Sequence, residues 1–235
     1  MIWPYLTWFI NGLIGLAFVL LGYYTFGNAL LFDRLFLLCL IFAGVFCRKD
    51  VNILSVVIII FAGRMLDEAA YQLLENPDLL LKIMIYPLLA YAIYRFKDDE
   101  LFNLAIVALA MCLSAETYWL AIGYQPPDIM WSMFGITLNM TVRHALIFRL
   151  FVIEKFFPDK AEDIMIDFII RLVAGIHVIV GALMIVEYLV RHLGIANPLY
   201  IYSSYGYISQ AIAVVTMWAL FHQTYQLRIQ AILKA

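Results

Sequence analysis

The sequence predicts an all-α, polytopic integral membrane protein with eight transmembrane helices arranged as four α-hairpins. Apolar residues make up 66% of the 235 positions and charged residues only 14%, and the mean hydropathy is +0.93. A soluble domain is nearer half apolar and a quarter charged. The apolar residues fall into eight runs, each long enough for a helix to cross a bilayer core of about 30 Å. The predicted spans cover residues 5–25, 31–47, 51–72, 79–96, 101–122, 128–152, 165–190 and 204–228.

The segments between these runs indicate how each helix begins and ends. The first run lacks a basic leader and a cleavage site, so we expect it to be retained as a helix. On the predicted outer side of the membrane the turns contain helix-breaking residues. On the predicted inner side acidic residues precede helices, where they can cap free N–H groups. The turns are Gly27-Asn28, Asn76-Pro77, Gln125-Pro126-Pro127 and Asn197-Pro198, and the acidic starts are Asp50, Asp98-Asp99-Glu100 and Glu162-Asp163.

We expect a short interfacial helix in the connection 154–164. No connection could hold a soluble domain, so residues 1–235 form one transmembrane domain.

The distribution of Lys and Arg predicts the orientation, because cytoplasmic connections carry an excess of them. With both termini inside, nine lie at the inner side and three at the outer side. The inner residues are Arg48, Lys49, Arg95, Lys97, Arg149, Lys155, Lys160, Arg228 and Lys234, and the outer ones are Arg34, Lys82 and Arg191. We therefore expect a bacterial cytoplasmic membrane protein with cytoplasmic N- and C-termini.

Two stretches of the chain resemble each other and suggest a tandem repeat of one hairpin. Asp50 and Glu68 are eighteen residues apart, as are Asp98 and Glu116. Three residues after each Glu comes an aromatic residue, Tyr71 or Trp119, and a Pro-Asp pair then opens the next apolar run. Possible repeat units are residues 48–97 and 98–152. Membrane folds often contain such internal repeats.

Ionisable residues inside a bilayer are costly, so each is a candidate site. Counted along their helices at 1.5 Å per residue, Arg64 and Glu116 lie at similar depths, about 20 and 22 Å from the inner ends. The expected outer-leaflet cluster comprises Arg64, Asp67, Glu68, Lys82, Glu116 and Glu187. It would bind a small cation or amine. Alternatively, Arg64 and Glu116 form a structural ion pair, and the remaining carboxylates reach interfacial water.

The sixth span is the most polar helix and predicts an inner-leaflet polar path. The expected members are Asn139, Arg143, His144 and, in the last span, His222. His144 and His222 fall at matching depths, and two histidines on neighbouring helices can ligate haem b. We keep haem b at these two residues as an alternative to hydrogen-bonded structural histidines. No other metal site is expected, since Cys39, Cys47 and Cys112 lack metal-ligand spacing.

These features leave two main hypotheses of function. The first is a non-enzymatic protein that moves or senses a small cationic or protonated solute. The second is a membrane-embedded subunit or anchor of a larger complex, with self-association through Gly12, Gly15 and Gly22 as one possibility. The third hypothesis is a haem-binding or lipid-modifying membrane enzyme. It is the least favoured of the three, because no hydrolase, metalloprotease or nucleotide-binding motif occurs. No basic run follows a phosphate backbone, so a nucleic-acid partner is not expected.

Overall fold

The computed structural model describes residues 3–74, 78–124 and 129–233, without the side chains of residues 3–8, 29 and 227–233. Within these ranges the chain forms eight α-helices and no strand. The helices are α1 (Trp3–Thr25), α2 (Ala29–Phe46), α3 (Val51–Leu73), α4 (Leu79–Arg95), α5 (Phe102–Ile122), α6 (Met130–Phe156), α7 (Met165–His192) and α8 (Tyr200–Leu233). The predicted turns at Asn76-Pro77 and Gln125-Pro126-Pro127, with Asp128, lie outside the described residues.

The observed helices agree with the predicted apolar runs, apart from extensions of α6 and of both ends of α8, which ends at Leu233 rather than residue 228. Helix α6 continues to Phe156, beyond the predicted end at residue 152, and α8 begins at Tyr200 rather than residue 204. The interfacial helix expected in the connection 154–164 does not form, because α6 takes up its first residues and residues 157–164 contain only turns and irregular backbone. Local hydrogen bonds mark several helix starts. Asp50 accepts from the amides of Asn52 and Ile53, and Asn28 and Asp78 cap α2 and α4.

Four of the described helices are long and apolar enough to cross a membrane: α5, α6, α7 and α8 as far as Gln226. A spanning helix needs about 20 predominantly apolar residues because every backbone polar group must be paired inside the bilayer. Large apolar side chains on these helices are also exposed, among them Leu120, Phe151 and Phe168. The described residues are therefore all-helical, and these four helices indicate an integral membrane protein.

The chain divides into two compact units. The first comprises Met1–Phe61, Phe148–Ile170 and Tyr207–Ala235, and the second comprises Ala62–Ile147 and Arg171–Gly206. In the first unit α1 packs closely against α8. An added Cβ at Gly15 would lie 3.4 Å from the Trp218 ring, and one at Gly22 would lie 2.9 Å from Val214. Among the described residues, none lies within 4 Å of a Cβ added at Gly12.

In the second unit a continuous apolar core is built by residues of α3, α4, α5, α6 and α7. Trp119 is its largest fully buried side chain and is 2% exposed. Its counterpart in the possible repeat, Tyr71, is 56% exposed. The two aromatic residues that define the repeat therefore occupy different environments, and duplication of the hairpin stays a prediction.

Candidate functional site

The most deeply buried charges in the described part of the chain form an ion pair between α6 and α7. Arg149 and Asp167 each have a side chain only 3% exposed, and Arg149 Nε donates to Asp167 Oδ1 at 2.8 Å. A second bond joins Arg149 Nη2 to Asp167 Oδ2, so the contact is bidentate. Bidentate guanidinium–carboxylate pairs are among the strongest hydrogen-bonded contacts in proteins. We call this pair and its neighbours Asn52, Ser55 and Glu162 the Arg149 cluster.

The guanidinium of Arg149 has partners at all three of its nitrogens. Besides the two bonds to Asp167, Nη1 donates to Asn52 Oδ1 at 3.3 Å and to Ser55 Oγ at 3.5 Å. Nη2 also donates to the Glu162 carbonyl at 3.1 Å. Five acceptor contacts match the five N–H donors that a guanidinium carries. The cation is therefore held by acceptors of its own chain at each of its three nitrogens.

The same cluster fixes the connection between α6 and α7. Asn52, at the start of α3, donates from Nδ2 to the Lys160 carbonyl at 2.8 Å and accepts from the Glu162 amide at 3.1 Å. Asp167 Oδ2 accepts from the Ile164 amide at 2.9 Å. Three elements of the first unit, α3, α6 and α7, are thereby tied to one segment of irregular backbone.

A second ion pair joins α6 to the start of α5 in the second unit. Arg143 donates from Nε to Asp99 Oδ2 at 2.9 Å and from Nη2 to Asp99 Oδ1 at 3.1 Å. Its Nη1 reaches the Arg171 carbonyl at 2.9 Å. The approach depends on Gly175, because an added Cβ there would lie 2.9 Å from Arg143 Nη1. The two side chains are 15% and 13% exposed.

The third ion pair corrects the predicted partner of Glu116. Lys82 Nζ on α4 lies 3.1 Å from Glu116 Oε2 on α5, and the Tyr86 hydroxyl donates to Oε1 at 3.4 Å. The sequence prediction of an Arg64–Glu116 pair is wrong because equal depth does not make two helices neighbours, whereas α4 packs directly against α5. Arg64 instead lies 3.7 Å from Asp67, one turn further along α3.

The other acidic members of the expected outer cluster differ in their roles. Glu187 is 7% exposed, and its carboxylate accepts from the amides of Ile201 and Tyr202 at 3.0 and 2.8 Å. It therefore caps the first turn of α8 rather than reaching interfacial water. Glu68 is exposed on α3. The structure thus gives Glu116 and Glu187 different partners, and a cluster of all six residues stays a prediction.

The described members of the expected polar path each have their own local contacts, and the path itself stays a prediction. Asn139 Nδ2 donates to the Gly135 carbonyl of its own helix at 2.9 Å, and Thr141 bonds to Thr137 of that helix in the same way. His144 is exposed, with its ring 5.0 Å from that of Phe96. His222 stacks on Trp218 at 5.3 Å, and its buried Nδ1 has no partner among the described residues. Haem ligation by His144 and His222 stays a prediction.

The sequence analysis missed the roles of Asp99, Asp167 and Asn52. The sequence predicts Asp99 only as part of a helix start and Arg149 only as one of the cations on the inner side. It predicts no role for Asp167. A signal existed, since Asp167 is a carboxylate set among apolar residues next to Ile166 and Phe168. In a membrane protein, such an isolated carboxylate requires a nearby cation. Within the described residues, no group of three or more His, Cys, Asp or Glu side chains could hold a metal ion.

Comparison with known proteins yields no match among protein-family models, curated proteins or solved structures. The class of the protein is therefore defined by its own fold and its charge pairs. In its described residues it is an all-helical chain with four helices able to cross a membrane, in which Arg149, Arg143 and Lys82 are each paired with a carboxylate of another helix or helix start.

Replacing Arg149 with Met should destabilise the protein by about 3–5 kcal/mol, because it leaves the Asp167 carboxylate buried without its cation. The measurement is reversible unfolding in detergent, followed by helical circular dichroism. As a control, Arg48→Met changes an exposed arginine of the same unit and should alter stability by less than about 0.5 kcal/mol. Adding Asp167→Leu to Arg149→Met should recover part of the loss. Equal losses for Arg149→Met and Arg48→Met would contradict the structural role of this pair.

Exchanging the charges of Lys82 and Glu116 tests the third pair. Lys82→Glu and Glu116→Lys should each lower the melting temperature in detergent, since each places two like charges together. The double variant should restore it, with a coupling energy of about 0.5–3 kcal/mol. The pair Arg64→Glu and Glu116→Arg is the control and should show no such restoration. Restoration by the control pair instead would show that Glu116 faces Arg64.

Proposed function

We propose that this protein is a non-enzymatic, membrane-embedded subunit or anchor of a larger protein complex. The observation that carries the proposal is the Arg149–Asp167 pair, in which each side chain is 3% exposed and every guanidinium nitrogen is bonded within the chain. A site that binds and releases a charged solute needs groups that can exchange partners. Charges so thoroughly paired serve to join helices, because separating them inside a membrane is costly.

The other enclosed ionisable groups favour the same function. Arg143 is engaged by Asp99 and the Arg171 carbonyl, and Glu187 is used as a helix cap. The connections between the described helices are each too short to hold a catalytic or ligand-binding domain. The surface that remains for recognition is the exposed apolar surface of the helices, which suits a partner within the membrane.

We further propose that all eight helices cross the bilayer of a bacterial cytoplasmic membrane, with both termini in the cytoplasm. Support comes from the agreement between the eight predicted runs and the eight described helices. The excess of Lys and Arg in the connections on one side sets the orientation.

Reporter fusions test this topology. Alkaline phosphatase fused after Lys97 or Lys160 should be inactive, because the enzyme folds only outside the cytoplasm, and fusions after Gly27 or Gly194 should be active. Green fluorescent protein at the same four positions is the control and should give the complementary pattern. Phosphatase activity after both Lys97 and Gly194 would contradict eight spans with this orientation.

A second candidate function is the movement or sensing of a small cationic solute at Glu116. The observation that favours it is exposure: the Lys82 and Glu116 side chains are 20% and 18% exposed, so they are more accessible than Arg149 and Asp167. A cationic amine could displace the Lys82 ammonium from the carboxylate, with the Tyr86 hydroxyl as an additional ligand.

The mass of the native particle and a flux assay distinguish the two functions. Extracted in a mild detergent and measured by native mass spectrometry, the 27.1 kDa chain should occur with a second membrane protein in a fixed ratio. Reconstituted alone in liposomes, it should conduct no cation or amine above protein-free vesicles. A solitary chain whose flux is lost in Glu116→Gln would overturn the subunit proposal in favour of solute movement.

A further inference from the structure

The segment that follows α6 exposes two aromatic rings between two lysines. Phe156 is 67% exposed and Phe157 is 47% exposed. The ammonium group of Lys155 lies 5.9 Å from the Phe156 ring centroid, and that of Lys160 lies 5.9 Å from the Phe157 ring centroid. We call residues 155–160 the Phe156–Phe157 segment. Two adjacent exposed phenylalanine rings are more favourable in an apolar surrounding than in water.

The backbone of this segment is held at both ends. At its start, the Phe157 amide continues the helical bonding of α6 by donating to the Ile153 carbonyl at 2.7 Å. At its end, the Lys160 amide donates to the Phe157 carbonyl at 3.2 Å, and the Lys160 carbonyl accepts from Asn52 of the Arg149 cluster at 2.8 Å. Asp159 turns the chain in the left-handed region, with φ of 65°. The rings are therefore presented by a defined turn.

The position of the segment indicates what surrounds the rings. Helix α6 is long and apolar enough to span the membrane, and its 27 residues make it about 40 Å long, which exceeds a hydrocarbon core of about 30 Å. Phe156 is its last residue, so with α6 across the bilayer the segment lies at the level of the headgroups. At this depth an aromatic ring can enter the boundary between acyl chains and headgroups, while lysine extends its ammonium group towards water and phosphate.

We propose that the Phe156–Phe157 segment is a lipid-binding anchor. The rings of Phe156 and Phe157 enter the acyl boundary, and the ammonium groups of Lys155 and Lys160 contact the phosphate groups of the adjacent phospholipids. Acidic residues lie within the segment and next to it in the sequence: Asp159 within it, and Glu154, Glu162 and Asp163 beside it. Their charge opposes general attraction to an anionic surface, so the recognised group is the phosphate shared by zwitterionic and anionic lipids. The inference rests on the membrane placement of α6 and not on the subunit role.

Nitroxide labels report the depth of the segment. The labels are attached to Phe156→Cys and Phe157→Cys in a Cys39→Ser background, in phosphatidylcholine liposomes. Collisions with lipid-soluble oxygen should exceed those with a water-soluble nickel chelate at both positions. Phe151→Cys, at a position 69% exposed on α6, is the control for membrane placement and should report lipid. Glu162→Cys, at an exposed position, should report water.

The control separates the two ways in which this experiment can fail. Water at 156 and 157 with lipid at 151 would overturn the anchor and leave the membrane placement of α6 intact. Water at all three positions would overturn both. Lipid at 151, 156 and 157 with water at 162 is the expected result.

Melting temperatures in defined bilayers test the phosphate contacts. The wild-type protein should melt at a higher temperature in phosphatidylcholine nanodiscs than in nanodiscs of a phosphate-free galactolipid, and phosphatidylglycerol should give the same gain as phosphatidylcholine. Lys155→Gln with Lys160→Gln should lose the gain. Lys49→Gln, which changes an exposed lysine of the same unit, is the control and should retain it. A gain confined to phosphatidylglycerol, or one unaffected by the double substitution, would overturn phosphate recognition.

Discussion

The bidentate contact between Arg149 and Asp167 is the interaction on which the architecture of the first unit depends. Neither side chain could stay charged at 3% exposure without the other, because isolated charges are strongly disfavoured in a low-dielectric surrounding. Its outer contacts bring in Asn52 of α3 and the backbone of Glu162. The turn that presents Phe156 and Phe157 is therefore fixed by polar contacts within the unit and not by its own sequence alone.

The three ion pairs share one design, although their burial differs. In each, the carboxylate has a cation and one further donor. Asp167 also accepts from the Ile164 amide, Asp99 from the Leu101 amide, and Glu116 from the Tyr86 hydroxyl. Two of these additional donors are backbone N–H groups at the starts of helices, which need acceptors themselves. One carboxylate thus satisfies a helix start and an arginine together, which reduces the number of polar groups that must be buried.

The helices could be predicted from the sequence, and the contacts between them could not. The eight apolar runs of the sequence coincide with the eight described helices, and four of these helices have the length and composition that a bilayer requires. Depth in the membrane is only one coordinate of a residue, however. Glu116 has Lys82 as its partner because contact also depends on which helices are adjacent and how each is rotated. Glu187 was expected near water for the same reason: the sequence does not show that the first turn of α8 lies within reach of α7. Asp167 escaped notice because it lies near a helix start, where a carboxylate is common.

The cap that Glu187 provides has a consequence for the order of assembly. The amides of Ile201 and Tyr202 find their acceptor on α7, so any state in which α7 and α8 are apart leaves two N–H groups and one carboxylate without these partners. Synthesis from the N-terminus delivers the acceptor before the donors. When α8 leaves the ribosome, the carboxylate that completes its first turn has already been synthesised as part of α7, so the acceptor is present before the amides that need it.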